Sequence, residues 1–174
     1  MTGKNIRKLV LAALLAALTA VATMIIRIPT PTQGYIHLGD GMVLICGILL
    51  GPGLGALAAG IGYMAWVPGT FAIKALTALL GGWLYHRMAG KGMNTITRVV
   101  LCGIPAEIIM VLGYFVYEVG MEVVMGSSMG AAAAAVVHGV PMNIVQGIAG
   151  IIVGAVLLPV LSHASAEMGE KIRA

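Results

Sequence analysis

Apolar residues gather along the chain into five stretches, at about 9–26, 41–67, 70–85, 99–117 and 132–161, with polar or charged breaks between them. The breaks carry most of the cations. Lys4, Arg7 and Lys8 precede the first stretch, Arg87, Lys91 and Arg98 surround the central break, and Lys171 and Arg173 end the chain. Lysine and arginine flanking apolar helices mark the cytoplasmic side of a membrane, so both termini and the 87–98 loop are expected inside. Three stretches separate the inside N terminus from that inside loop. An odd number of crossings would put the loop on the wrong side, so one stretch has to turn back. The stretch at 41–67 contains Gly51-Pro52-Gly53-Leu54-Gly55, where proline removes a helix donor and glycine admits turn conformations. A tight hairpin is expected there, between helices at about 40–50 and 54–66.

The expected fold is therefore all-α and integral to the membrane, a bundle of six transmembrane helices with both termini cytoplasmic. Outer loops are expected at 27–39, 67–69 and about 118–130. The two hairpin helices would reach only about 20 Å, short of the roughly 30 Å hydrocarbon core. Irregular backbone then has to sit at membrane depth, where it is tolerated only if it lines a protein-enclosed cavity. That cavity is expected to open outward.

Composition strengthens this picture. The 174 residues are 60% hydrophobic and 9% charged, and the mean hydropathy is +1.03. So few polar groups cannot solvate a globule of this size, and a single membrane domain spanning 1–174 is expected, with the lipid bilayer as its surroundings. The net charge of +4 does not point to nucleic acid, because the cations sit where topology signals sit. Cys46 and Cys102 lie in apolar runs without metal-type spacing and are expected to be buried, inert thiols. The basic start and apolar run at 9–26 resemble a signal peptide, but the run is long enough to span, and a retained helix is expected.

Ionisable groups inside membrane segments are costly, which makes each a functional candidate. Asp40 opens the second helix from the outside, and Lys74 lies one turn into the fourth, also from the outside. At similar depth they are expected either to pair with each other or to anchor a polar ligand. Glu107 falls near the middle of the fifth helix, with Tyr114 seven residues on along the same face. Asn143, Gln146 and Gly147 share a face at i, i+3, i+4 of the last helix, as interhelical glue or as ligand contacts. His37 and His138 come from different outer elements without a ligand cluster around them, so metal binding is not expected. Tyr63 and Trp66 end the third helix, as interfacial aromatics or as a stacking surface for a flat ring. Ala12, Ala16 and Ala20 form a smooth strip at i, i+4, i+8 on the first helix, flanked by Ala13 and Ala17. Such a strip serves packing within the bundle or docking onto a partner membrane protein. No nucleophile elbow, phosphate loop, HExxH or paired-carboxylate motif is present, so no enzymatic activity and no cofactor are expected.

The alanine-rich first helix and the segments "YIHLGDGMVLICGILLGPGLGALAAGIG", "PGTFAIKALTALLGGWL", "GYFVYE" and "VPMNIVQGIAGIIVG" occur in this order. As an ensemble they resemble the substrate-binding S component of an energy-coupling factor (ECF) vitamin importer, over nearly the whole chain. The resemblance implies high-affinity capture of a water-soluble vitamin or precursor in a pocket near the outer face of a prokaryotic cell membrane. It implies separate partners, a transmembrane coupling subunit and two ATPase subunits, with ATP hydrolysis confined to the latter, and a toppling motion that releases cargo inward. It assigns docking on the coupling subunit to Ala12, Ala16 and Ala20, and a lid to 29–38. The candidate substrate-binding residues are Tyr35, His37, Asp40, Tyr63, Trp66, Lys74, Glu107, Tyr114, His138, Asn143 and Gln146. Where many members carry an acidic residue soon after the third-helix glycine pattern, this chain reads Tyr63-Met64-Ala65-Trp66. Tryptophans and neutral polar groups favour pyridoxine or hydroxymethylpyrimidine as cargo, with riboflavin next. The alternative from another class is a stand-alone channel or proton-coupled transporter in which Glu107 relays protons.

Overall fold

A computed structural model describes residues 3–25, 27–29, 35–37, 39–63 and 68–167. Helix α1 (Gly3–Ile25) is followed by a ribbon of two short antiparallel strands, β1 (Arg27–Pro29) and β2 (Tyr35–His37), paired Arg27 to His37 and Pro29 to Tyr35. Then come α2 (Gly39–Leu50), α3 (Pro52–Tyr63), α4 (Pro68–Arg87), α5 (Thr95–Val124), α6 (Met129–Val136) and α7 (Val140–Glu167), the last two joined by a single 3-10 turn at Val137–Gly139. The described residues are thus helical apart from the ribbon and the connections.

The expected hairpin is present and tighter than the sequence indicated. One residue, Gly51, separates α2 from α3, and its φ of +81° is a conformation glycine adopts without a Cβ penalty. Pro52 then occupies the first position of α3, where its missing N–H costs nothing and its fixed φ already suits a helix.

Helix α2 is the axis of the bundle. It packs against α1, α3, α4 and α7, and every residue from Gly39 to Ile48 is buried. After Asp40 no polar side chain occurs in the helix, so nothing along it resists enclosure, and its glycines let neighbouring backbones close on it. Helices α2 and α4 approach backbone to backbone. A Cβ placed on Gly82 would collide with the backbone of Gly47, and one on Gly47 with the carbonyl of Ala78. Gly82→Leu is accordingly expected to force these helices apart at a cost of about 1–3 kcal/mol or more. Thermal unfolding in detergent checks this, with Gly53→Ala as control, because nothing lies within 4 Å of a Cβ at Gly53.

The outward surface is as apolar as the core. Ile6, Val10 and Leu14 of α1, Leu112 and Val116 of α5, and Ile148, Ile152 and Val156 of α7 are all exposed. Water would penalise such a surface and lipid does not. Helices Asn5–Ile25, Thr95–Val124 and Met129–Ser162 are long and apolar enough to cross a membrane. Buried hydroxyls bond to their own helices instead of seeking water: Thr19 donates to the Leu15 carbonyl at 2.7 Å, Thr23 to Thr19 at 2.7 Å and Thr77 to Ile73 at 2.9 Å.

Two sequence boundaries are corrected. The loop expected at about 118–130 is mostly helix, because α5 continues to Val124 and only 125–128 lie between it and α6. Glu118 and Glu122 read as loop residues by charge, yet helix propagation carries them until Gly126, whose φ is +102°. The last stretch, expected as one helix at 132–161, is instead interrupted by the 3-10 turn.

Candidate functional site

Asp40 stands in the first turn of α2, where the helix dipole favours a negative charge. It is 1% exposed, and its partners arrive from three other helices. Lys74 of α4 makes an ion pair with Oδ1. Tyr63, the last residue of α3, donates its hydroxyl to the same oxygen at 3.3 Å, and Gln146 of α7 donates Nε2 to Oδ2 at 2.7 Å. The Lys74 ammonium is flanked by two rings, Tyr63 at 5.2 Å and Tyr114 of α5 at 5.1 Å from their centroids. Five helices therefore meet at one carboxylate and one ammonium. Of the two expectations for Asp40 and Lys74, the structure realises the pair.

Glu107 of α5 lies beside this cluster but does not join its hydrogen bonds. It is 5% exposed, and both carboxyl oxygens are buried without a hydrogen-bond partner among the described residues. Glycines make its room. A Cβ on Gly147 would come 3.0 Å from the Glu107 Cβ, and one on Gly150 would come 3.2 Å from Oε1 and 2.8 Å from the Asp40 Cβ. The Glu107 side chain also lines a groove of about 280 Å³ between α5 and α7, whose other walls are aliphatic or glycine. A buried carboxyl with no donor is costly, and it is the polar group in the described cluster that a ligand could satisfy.

The remaining sequence candidates distribute as follows. Asn143 is half-buried one turn before Gln146. His138 is exposed in the 3-10 turn and lines a separate cavity of about 460 Å³ with Glu118, Met121 and Glu122. It stands in the 3-10 turn before α7, eight residues ahead of Gln146, and lines that cavity instead of joining the described Asp40 cluster. The side chains of Tyr35 and His37, and all of Trp66, lie outside the described residues, as does most of the expected lid at 29–38.

Of the two expectations for the alanine strip, Ala12 and Ala16 fit packing within the bundle. Ala12 and Ala16 are only 7% and 8% exposed and belong to the core with Leu11, Leu15 and Tyr63. The Ala16 carbonyl lies 3.0 Å from where a Cβ of Gly62 would be, so α1 and α3 close on that face. Ala20 is half-buried, and the alanines that face outward are Ala13 and Ala17.

Two further features escaped sequence reasoning. Arg98, taken there as a topology signal, is buried; it donates to the Tyr85 carbonyl at 3.0 Å and stacks 4.0 Å from that ring. The Gly147 and Gly150 cradle was visible only as a spacing of three on the last helix. Cys46 and Cys102 are free and buried.

Comparison with known proteins extends the picture. The family model of the ECF-type riboflavin transporter, S component, matches residues 3–163. A Pyrococcus woesei protein, described as an uncharacterized protein in gap 3'region, is 35% identical over 143 residues, covering 77% of this chain and 87% of its own length. A solved structure described as "Structure and mechanism of the S component of a bacterial ECF transporter" superposes with a TM-score of 0.60 over 96% of this chain and 99% of that one, at 18% identity. At that identity the likeness concerns the fold.

Proposed function

Since the chain belongs to the family of ECF-type riboflavin transporter S components, a membrane-embedded transport family whose members bind substrate, we propose that it captures a water-soluble vitamin or vitamin precursor at the Asp40, Lys74, Glu107, Tyr114 and Gln146 cluster. The observation that carries this reading is Glu107, a buried carboxyl without a hydrogen-bond donor among the described residues, beside the Asp40–Lys74 ion pair. Asp40 and Lys74 brace the helices, and Glu107 waits for cargo.

In this reading the bundle crosses the cell membrane six times with both termini cytoplasmic, α2 and α3 forming the short hairpin. The β1–β2 ribbon and the pocket lie toward the outside. Cargo binding requires no ATP; transport requires a coupling subunit and two ATPase subunits. The coupling subunit docks on the outward face of α1, where exposed Ala13 and Ala17 allow a close approach that buried Ala12 and Ala16 do not. Riboflavin moves ahead of pyridoxine and hydroxymethylpyrimidine as the first cargo to test, because the family description names it.

The test is mass spectrometry and ultraviolet absorbance of whatever small molecule is released when the detergent-purified protein is denatured. A stoichiometric vitamin-like compound is expected. An empty protein that by itself conducts solute across liposomes would replace capture with the channel reading.

A further inference from the structure

The polar groups that face Glu107 can be followed helix by helix. From α2 comes Asp40, which already accepts from Lys74, Tyr63 and Gln146. From α4 comes Lys74, engaged by Asp40 and flanked by two tyrosine rings. From α7 come Gly147 and Gly150, which bring no side chain, and Gln146, whose amide donates to Asp40. The groove on the other side offers only Ile104, Ile108, Val111, Leu112, Ile144, Ile148 and Ile151 besides glycine. The cluster holds one ammonium for two carboxyls, and Asp40 has it. An ionised Glu107 would have to share that one ammonium with Asp40, repelled by it and without a hydrogen-bond donor among the described residues, a costly arrangement for a buried side chain.

We propose that Glu107 stands as a neutral carboxylic acid and reads the cargo through a paired edge. Its O–H donates to a ring carbonyl or ring nitrogen, and its C=O accepts from the adjacent N–H. A carboxylic acid carries one donor and one acceptor side by side, the complement of a lactam or amidine edge on a flat nitrogen heterocycle. This inference rests on the capture role proposed above and narrows its substrate class. Riboflavin qualifies through the imide edge of its pyrimidinedione ring. Hydroxymethylpyrimidine qualifies through its amino group beside a ring nitrogen. Pyridoxine has no such edge and is excluded.

Glutamine has the same shape and the same donor–acceptor pair as a neutral acid, whereas leucine has neither group. The purified full-length chain is titrated with riboflavin by flavin fluorescence, and with hydroxymethylpyrimidine and pyridoxine by calorimetry, for the wild type, Glu107→Gln and Glu107→Leu. The expected result is that riboflavin or hydroxymethylpyrimidine binds, that Glu107→Gln stays within about threefold, and that Glu107→Leu weakens binding by about thirtyfold or more. If riboflavin is the ligand, its N3-methyl derivative, which lacks the imide N–H, should bind the wild type about as poorly as riboflavin binds Glu107→Leu. The proposal is overturned if Glu107→Gln is as weak as Glu107→Leu, which would mean a charged carboxylate, or if Glu107→Leu binds like the wild type. Binding of pyridoxine alone overturns the edge reading and leaves vitamin capture standing. Binding of none of the three also overturns it, and co-purification with the coupling subunit then shows separately whether the capture role falls too.

Discussion

Lys74→Met is expected to destabilise the protein by about 3–5 kcal/mol, the usual consequence of stripping one partner from a buried ion pair. Asp40 would keep its charge at 1% exposure without the ammonium that balances it, although the Tyr63 hydroxyl and the Gln146 amide would remain. Thermal unfolding in detergent, followed by loss of the monodisperse peak, measures the effect. The double variant Asp40→Leu with Lys74→Met should recover most of the loss, because an apolar pair removes both desolvation costs at once. A double variant no more stable than the single one would show that the pair is not what joins α2 to α4, and would return the credit to the glycine contact between Gly47 and Gly82.

The second large effect is on transport. Ala17→Trp is expected to reduce vitamin uptake by at least about tenfold in cells that carry the complete importer, while the affinity of the purified chain for its vitamin stays unchanged. Ala17 points away from the bundle, so a bulky side chain there obstructs only a neighbour. Ala16→Trp should behave differently and lose both uptake and fold, since that position is 8% exposed against the glycine face of α3. Uptake assays paired with ligand titration separate the two. If Ala17→Trp transports normally, the coupling subunit docks on another face.

The contrast between these alanines also marks where sequence reasoning reached its limit. In water, a polar stripe tells the outer face of a helix from the inner one. In lipid both faces of α1 are apolar, and Ala12, Ala13, Ala16 and Ala17 look alike. Only their neighbours differ, namely Gly62 of α3 and the α2 core, and those are separated from them in sequence. Charges behaved in the opposite way. The hairpin was legible because cation placement constrains parity and Gly51-Pro52 breaks a helix. The pairing of Asp40 with Lys74 was legible because two isolated opposite charges at one depth have few other partners. That Gln146 completes Asp40 was half legible: its face on the last helix could be read, its partner 106 residues away could not. The β1–β2 ribbon could not be read at all, since strands of three residues carry too short a pattern. That His138 would stand with Glu118 and Glu122 was not legible either, since those residues come from another helix.

The enclosed position of α2 constrains how the protein is made. The apolar length of α2 suits lipid, but the Asp40 carboxylate at its start does not until its partners are in place. The walls of α2 arrive in chain order: α1 before it, α3 immediately after, α4 next, and α7 last. Until then the side of Asp40 that Gln146 and Gly150 will cover stays open. The nascent hairpin is therefore expected to keep its Asp40 end at the membrane surface until α7 arrives. A chain stopped short of α7 keeps the Lys74 pair and the Tyr63 hydroxyl on Asp40 but lacks the Gln146 amide on Oδ2, which distinguishes it from the finished bundle.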